Sequence, residues 1–288
     1  MTEDHSQQQA ENSYVNDAES GAEMARLLDQ ERLLTEGMGG LFSERSDLSN
    51  IFDILDVACG PGGWVHDVSH TYPEVEVTGI DISHNMIAYA RAHAEVRGLT
   101  NAHFQVMNAL EHLDFPDESF DLVNARAALG FVPTPAWPQL IAEYKRILRP
   151  GGVIRLTEGE WGFTNKPILE TLLSLSNHAL HKAGYGASPT GRNEGLTPML
   201  GYWLRQAGFQ QVKQKAHAID YSFGTKAYAG AYQDYKLMLK LAQPFWHKMG
   251  VATQDELDTF YEQVMTEMAE EDFCAVWYLL TCWGEKSA

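Results

Sequence analysis

The sequence predicts an α/β protein built on a mostly parallel sheet with helices on both faces. Apolar runs of strand length alternate five times with stretches of helical periodicity between residues 53 and 160, an order typical of strand-helix-strand units. The first run, residues 54–57, stops at a glycine turn at residues 60–63. Two acids, Asp56 and Asp81, stand near the ends of the first two runs. Ligands of parallel sheets bind at such strand ends, so both acids are candidate site residues.

The glycine turn Gly60-Pro61-Gly62-Gly63 is the first candidate binding element. Glycines at a strand-to-helix turn let the backbone come close to a ligand, because no Cβ blocks the approach. A dinucleotide-binding turn would carry a third glycine at position 65, where this chain has Val65. Asp56 is costly to bury unless a cationic or hydrogen-bonding group meets it. The pattern therefore favours a ligand that carries positive charge over one that presents a phosphate.

The stretch D-V-A-C-G-P-G at residues 56–62 resembles the first motif of class I S-adenosylmethionine-dependent methyltransferases. A second hallmark of that family is the turn Leu148-Arg149-Pro150-Gly151-Gly152 with the strand that follows at residues 153–157. The resemblance covers residues 53–160 closely and the tail more weakly. It implies a Rossmann-like, seven-stranded sheet whose last two strands form an antiparallel pair. It also implies S-adenosylmethionine as the cofactor and S-adenosylhomocysteine as its product.

Apolar periodicity and turn residues predict the individual elements. Ser83 is a candidate N-cap for the helix after the second strand. The predicted strands are residues 54–57, 75–81, 103–107, 120–126, 153–157, 209–221 and 273–283. The predicted helices of the core are residues 64–71, 84–97, 138–148 and 196–206.

The resemblance also implies cofactor contacts at the strand ends. Asp56 would lie near the methionine amino group, and Asp81, 21 residues after Gly60, has the spacing of an acid that accepts hydrogen bonds from ribose hydroxyls. Ile82 would flank the adenine ring, and Asn108 would lie beside the adenine amino group, where an amide can both donate and accept. The predicted cofactor residues are Tyr14, Met38, Asp56, Ala58, Gly60, Pro61, Gly62, Asp81, Ile82, Met86, Asn108, Ala109, Leu110, Asn124, Ala125 and Arg126.

The end of the fourth strand reads Asn124-Ala125-Arg126. The resemblance places the first two residues beside the methionine part of the cofactor and the transferred methyl. Arg126 is expected to meet a carboxylate of cofactor or substrate, or to pair with a local acid. The Asn-Pro-Pro-Tyr motif of enzymes that methylate planar exocyclic or amide nitrogens is missing here, so we do not expect nucleic-acid bases as acceptors.

A leader precedes the core. The pattern turns helical from Asn16, a candidate N-cap, and Glu23 and Arg26 are expected to face away from the apolar stripe. That stripe comprises Met24, Leu27, Leu28 and Leu34. One interpretation is a helix packed on the core. The other is a mobile lid over the cofactor, hinged at the glycines of residues 37–40, with Tyr14 and Met38 reaching the site.

Two helical segments exceed what the core requires, and we interpret them as a cover over an apolar acceptor pocket. Its predicted residues are Phe131, Trp161, Phe163, Tyr228 and Tyr232. Packing against the sheet is the alternative for the tyrosines. A catalytic base is optional for methyl transfer, and Glu158 and His178 are weak candidates. His178 and His181 lack the acidic companion of a metal motif, so no metal is expected.

The predicted organisation follows from these assignments. It comprises a disordered tail (1–13), an N-terminal helical lid (14–50), a cofactor-binding core (51–160), a helical insertion (161–195), a continuation of the core (196–223), a helical cap (224–271), and the last core strand with its tail (272–288).

Composition narrows the class of protein. The 39 acidic residues against 21 basic ones give a net charge of −18, which argues against non-specific binding to nucleic acid or to an anionic membrane surface. Cys59, Cys274 and Cys282 have no metal-ligand spacing and an odd count, which favours free thiols in a reduced compartment. No signal peptide or membrane-spanning run is recognisable, and we expect a cytoplasmic protein. A homo-oligomer is left open.

The predicted function is methyl transfer from S-adenosylmethionine to a small, largely apolar metabolite, as in secondary metabolite biosynthesis. Oxygen, nitrogen and carbon acceptors stay open. The alternative is a protein of the same fold that binds the cofactor and catalyses a rearrangement or cyclisation without methyl transfer. A nicotinamide-dependent oxidoreductase is disfavoured by Val65 and by Asp56.

Overall fold

The computed structural model describes residues 13–45 and 47–287 of the 288-residue chain. The disorder predicted for residues 1–13 therefore lies outside the described residues, except at Ser13. In the described part of the chain the strands are β1 Asp53–Val57, β2 Glu76–Asp81, β3 Ala102–Val106, β4 Phe120–Arg126, β5 Leu148–Thr164, β6 Gln210–Asp220 and β7 Ala275–Glu285. The α-helices there are α1 Gly21–Gly37, α2 Gly63–Thr71, α3 His84–Arg97, α4 Trp137–Ile147, α5 Pro167–Lys182, α6 Thr197–Gln206, α7 Tyr228–Leu241, α8 Gln243–Lys248 and α9 Gln254–Met268.

Within the described residues these strands form a seven-stranded sheet in the order β3-β2-β1-β4-β5-β7-β6. Strands β1 to β5 run parallel, and β7 pairs antiparallel with both β5 and β6. The predicted Rossmann-like sheet, mostly parallel with an antiparallel last pair, is confirmed. The chain winds outward from β1 to β3 and then returns to β4 on the other side of β1. The carboxyl ends of β1 and β4 therefore flank the crevice where ligands of this architecture bind.

Both faces of the central strands are buried by helices. Ile54 packs among residues of α2 and α3, whereas its neighbour Leu55 packs among residues of α4 and α6. Successive side chains of a strand point to opposite faces, so one apolar run anchors both helix layers. A further apolar cluster joins α5 and the start of β7 to helices α7, α8 and α9, which we call the cap. The cap has its own core and covers one end of the sheet.

Local signals in the core agree closely with the observed elements. The helix predicted for residues 84–97 is α3, and Ser83 caps it by accepting a hydrogen bond from the Met86 amide. Gly98 ends it in a left-handed conformation that glycine adopts without steric cost. The predicted strand at residues 120–126 is β4. Strand β5 is longer than predicted, because it pairs with β7 as far as Thr164. Along the described residues, no helix is long and apolar enough to cross a membrane.

The leader differs from its predicted pattern in two ways. Helix α1 starts after Ser20, whose hydroxyl accepts from the Glu23 amide, and not after Asn16. Asn16 instead donates to the Glu23 carboxylate at 3.1 Å. Glu23 and Arg26 are buried rather than turned outward, because Arg26 pairs with both Glu23 and Asp234 of α7. The first half of the polar face of α1 therefore packs against the cap, whereas Asp29 and Arg32 stay exposed.

The first glycine of the predicted hinge serves packing. Gly37 ends α1 against β6, and a Cβ added to it would lie 2.5 Å from Cδ1 of Ile219. A larger side chain would push the helix away from the sheet edge. Gly39 and Gly40 have φ values of +90° and +117°, so the backbone reverses there through conformations that favour glycine. A hinge at these two positions stays a prediction.

Candidate active site

A deep cleft opens at the carboxyl ends of β1, β2 and β4, between α1, the cap and α5, with a cavity volume of about 320 Å³. Most predicted cofactor residues line it. They are Tyr14, Met38, Asp56, Ala58, Gly60, Pro61, Asp81, Ile82, Met86, Asn108, Ala109 and Arg126. Phe131, Trp161 and Glu158, predicted for the acceptor side, line the same cleft. Their contact with ligands stays a prediction.

Asp81 joins the end of β2 to the glycine turn. One carboxylate oxygen accepts from the Gly60 amide at 2.9 Å, and the other accepts from the Ser83 amide at 2.9 Å. Burial raises the pKa of this carboxyl, and the two amides oppose the shift. The side chain is thus held in one orientation before any ligand arrives.

Asp56 is the second strand-end acid, and burial raises its pKa to about 7. The positive charge of Arg126 and a hydrogen bond of 2.7 Å from the Asn124 amide act in the opposite direction. Asn124 itself is fully buried and does not line the cleft. The amide lies behind Asp56 in the neighbouring strand, and its predicted contact with the cofactor stays a prediction.

Three other predicted cofactor residues also lie outside the cleft. Gly62 has a φ of +80°, and a Cβ there would lie 2.6 Å from the Phe104 ring, so this glycine lets α2 pack closely. Leu110 packs against the core between the sheet and α4. Ala125 is 1% exposed inside β4, where strands pair on both sides. All three serve packing, and their predicted contacts with the cofactor stay predictions.

Arg126 pairs with a local acid, which was one of its predicted alternatives. Its guanidinium forms an ion pair with Glu31 of α1 and donates to the Thr35 hydroxyl at 3.2 Å. It also lies over the Trp64 ring at 5.5 Å. Its Nε is buried, and no hydrogen-bond partner for it is found among the described residues. One donor of this cation therefore remains available beside the cleft.

Buried carboxyl groups lie on the β5 side of the cleft. Glu158 is 2% exposed and accepts from the Ala128 amide at 2.7 Å. Burial raises the pKa of Glu158 to about 8, and its bonds to backbone amides oppose this shift. Glu194 is also buried, and its pKa is raised by burial and by the neighbouring Glu160. No sequence signal marked Glu194, which follows a loop rich in glycine, serine and asparagine.

An aromatic wall faces these carboxyls. Trp161 packs edge-on against Trp277 at 5.4 Å, and Phe245 and Trp246 of the cap extend the wall. Phe163 was predicted to join Trp161 but is 56% exposed. A register irregularity in β5 between Glu160 and Phe163 changes which face its side chain occupies.

The remaining acceptor-side residues lie away from the cleft, and their predicted roles stay predictions. The Tyr228 hydroxyl donates to the Met268 carbonyl at 3.0 Å, and Tyr232 packs beside Tyr228, so both lie within the cap and away from the cleft. The face of α7 toward the cleft carries Met238 instead. His178 lies on the exposed face of α5. Packing against the sheet was the alternative for the tyrosines, and the structure packs them within the cap instead.

The leader contacts both sides of the cleft. The Val15 amide donates to the Gly130 carbonyl at 2.9 Å, close to the end of β4. The Glu19 carboxylate accepts from the His84 and Asn85 amides at 3.0 and 3.2 Å, at the start of α3. Between these contacts Tyr14 lines the cleft and donates to Glu23 at 2.6 Å. In the described residues, no cluster of three or more histidine, cysteine or acidic side chains is arranged to hold a metal ion.

A parallel sheet of this order, with acids ending β1 and β2 at one cleft, defines an α/β protein that binds a nucleoside cofactor. A family model described as a methyltransferase domain matches residues 54–152. The demethylmenaquinone methyltransferase of Geobacillus kaustophilus is 31% identical over 188 residues, which are 60% of this chain and 75% of the relative. The chain belongs to the class I S-adenosylmethionine-dependent methyltransferase family, and S-adenosylmethionine is its cofactor.

Other matches are shorter or more distant. A probable methyltransferase, ltbC of Aspergillus luteorubrus, is 37% identical over 107 residues, covering 35% of this chain and 38% of that protein. The chain spans about two fifths of the length of the first curated relatives that it matches. Phosphoethanolamine N-methyltransferase 2 of Haemonchus contortus, solved with S-adenosyl-L-methionine, has 16% identity and a TM-score of 0.54 over 92% of this chain and 57% of that chain. This last likeness concerns the fold alone.

Proposed function

We propose that this protein transfers a methyl group from S-adenosylmethionine to a small, largely apolar acceptor. The observation that carries the proposal is the division of one cleft into two halves. Strand-end acids and the glycine turn line the half at β1 and β2, and an aromatic wall lines the half at β5 and the cap. A polar cofactor and an apolar acceptor can therefore meet above the ends of β4 and β5.

The residues of the first half fit the cofactor. Asp81 would accept from the ribose hydroxyls, and Asp56 would pair with the ammonium group of the methionine part. The available Nε of Arg126 would donate to the carboxylate of the same part. Asn108 follows β3, is partly exposed and lines the cleft, and we expect it to meet the adenine edge. An anionic group of the ligand would supply the acceptor that this buried cation lacks.

The second half would bind and orient the acceptor. When bound, the cofactor supplies an activated methyl group on a sulfonium, so the protein needs to align the acceptor and exclude water. Trp161, Phe245 and Trp246 give the wall an apolar surface. Glu158 lies within β5 and lines the cleft, and its raised pKa suits a group that takes a proton from a hydroxyl or an amine.

The assay that tests the function measures S-adenosylhomocysteine in mixtures of enzyme, S-adenosylmethionine and a panel of small apolar phenols, amines and enolic compounds. Accumulation that depends on one acceptor supports methyl transfer. Consumption of a substrate without S-adenosylhomocysteine would support the rearrangement or cyclisation alternative. No binding of S-adenosylhomocysteine at about millimolar concentration would overturn the cofactor assignment. Calorimetry on the same protein provides that binding measurement.

Replacement of Glu158 tests whether its carboxylate acts as the catalytic base. With an acceptor from the panel, we expect the wild-type kcat to rise with pH and to level off above about pH 8, where this carboxyl is ionised. Glu158→Gln should lower kcat by about 100-fold and remove this rise. Glu160→Gln is the matched control, because the same chemical change is made at a neighbouring carboxyl of the cleft. An unchanged pH profile in Glu158→Gln would show that another group, or none, removes the proton.

A further inference from the structure

A row of buried polar side chains crosses the sheet behind Asp56. In the strand register Asp56 of β1 is level with Asn124 of β4, and Asn124 is level with Arg155 of β5. Their residues are 4%, 0% and 1% exposed. Glu44 of the leader closes the row at Arg155. We call these four residues the polar ladder.

Each contact of the polar ladder has a fixed direction. Arg155 can only donate, and it donates to Glu44 at 2.6 Å and to Oδ1 of Asn124 at 2.7 Å. The amide orientation of Asn124 is therefore set by the guanidinium, and its Nδ2 donates to Oδ1 of Asp56 at 2.7 Å. An amide without this restraint could present either its donor or its acceptor to the carboxyl.

This arrangement is hard to explain by stability alone. An arginine and an amide in the centre of a sheet lose their hydration. Apolar side chains of similar volume at such positions often give equal or greater stability. The guanidinium is instead fully accommodated by Glu44, by Asn124 and by the Phe42 ring at 5.8 Å. A guanidinium that is costly to bury and is held in one orientation is expected to act on a neighbouring residue. That neighbour is Asp56, the member of the polar ladder that lines the cleft.

The charges around Asp56 compete. Burial and Glu31 raise its pKa, whereas Arg126, Asn124 and Arg155 lower it, and the balance lies at about 7. Two further groups face it, the Cys59 thiol and the Tyr144 phenol, and burial raises the pKa of both, so they stay neutral. Near pH 7, a single hydrogen bond to the carboxylate decides how much of Asp56 is ionised.

We propose that Asn124 and Arg155 are positioning residues, which keep Asp56 ionised and oriented toward the ammonium group of S-adenosylmethionine. The inference rests on the contact of Asp56 with that ammonium in the proposed function. Neither residue lines the cleft, so both act through Asp56. The polar ladder also connects the cofactor half to Glu44, which makes the end of the leader part of the same arrangement.

The test is calorimetry on Asn124→Leu with two ligands, S-adenosylhomocysteine and 5′-methylthioadenosine, which lacks the amino-acid part. At about pH 7 we expect the variant to bind S-adenosylhomocysteine about tenfold more weakly, because less Asp56 is ionised. Its affinity for methylthioadenosine should stay within about twofold of wild type. The deficit for S-adenosylhomocysteine should shrink toward about pH 9, because the carboxyl, whose pKa has risen further, regains its charge there.

Asn101→Leu is the matched control. It makes the same change at another buried asparagine, whose Nδ2 donates to the Val75 carbonyl at 2.8 Å away from the cleft. We expect it to lower the melting temperature without separating the two ligands or changing the pH dependence. Equal losses for both ligands in Asn124→Leu, no loss, or a loss independent of pH would each overturn the proposal. Failure of the wild type to bind S-adenosylhomocysteine would instead overturn the proposed function.

A second variant covers the case in which Asn124→Leu does not fold. Glu44→Gln with Arg155→Met removes the ion pair as a unit, so no single charge is left buried. The amide of Asn124 then loses the donor that orients it. The same selective, pH-dependent loss of S-adenosylhomocysteine affinity is expected, and retention of wild-type affinity would contradict the proposal.

Discussion

Asp81→Ala is expected to weaken the binding of S-adenosylhomocysteine by about 100-fold to 1,000-fold, which corresponds to about 3–4 kcal/mol. Two losses add. The ribose hydroxyls lose a charged acceptor, and the Gly60 and Ser83 amides lose the carboxylate that holds the glycine turn against the end of β2. Calorimetry gives the affinity, and a thermal melt shows whether the protein remains folded.

Asp81→Asn separates these contributions. The amide keeps the shape and one acceptor oxygen but presents a donor to Gly60 or to Ser83, so we expect an intermediate loss of affinity. Asp67→Ala on the exposed side of α2 is the control, since its carboxylate contacts Arg97 outside the cleft. Wild-type affinity in Asp81→Ala would remove Asp81 from the cofactor site.

The elements that could be predicted are those determined by residues close together in the sequence. The glycine turn, the Ser83 cap and the strand at residues 120–126 follow from residues that are close in sequence. The mostly parallel sheet and its antiparallel last pair follow from the strand-helix alternation and the family resemblance. Strand ends then bring Asp56 and Asp81 to one cleft without further information.

The errors have long-range causes. Arg26 was assigned to the solvent by helical periodicity, but its partner Asp234 stands 208 positions later in the sequence. The family resemblance placed Asn124 beside the cofactor, yet its buried amide contacts Asp56 and Arg155 and does not line the cleft. Phe163 lost its predicted place through an irregularity in β5 that no residue type announces. Pairing partners and strand irregularities are set by tertiary contacts rather than by the local pattern.

Arg26→Met is expected to give the largest loss of stability. The guanidinium lies between Glu23 at 2.7 Å and Asp234 at 2.8 Å, and its side chain is 5% exposed. Its removal leaves two carboxylates buried without their cation, which costs about 3–5 kcal/mol. For a chain of this size that corresponds to a fall in melting temperature of roughly 10 °C. Differential scanning calorimetry at neutral pH measures it.

The loss should depend on pH in a defined direction. In the wild type Arg26 and Tyr14 outweigh burial and lower the pKa of Glu23, so this residue contributes stability that is lost as the pH falls through its folded value. Without Arg26, burial dominates at Glu23 and Asp234, and both carboxyls bind protons more tightly in the folded than in the unfolded protein. The difference in melting temperature between variant and wild type should therefore shrink as the pH is lowered toward about 5. A difference that is constant with pH would contradict this account of the network.

Variants of the Glu23, Arg26 and Asp234 network test whether the leader is a lid. Tyr14 reaches the cleft and is held by Glu23, so the ion triad of Glu23, Arg26 and Asp234 ties the leader to the cap. Replacing the triad together, with Glu23→Gln, Arg26→Met and Asp234→Leu, removes the buried charges and should restore much of the lost stability. If the leader acts as a lid, this triple variant melts close to wild type but has weaker cofactor binding or slower turnover, because water enters and the reactants are less well aligned. A stable triple variant with wild-type affinity and kcat would mean that α1 is only part of the packed core.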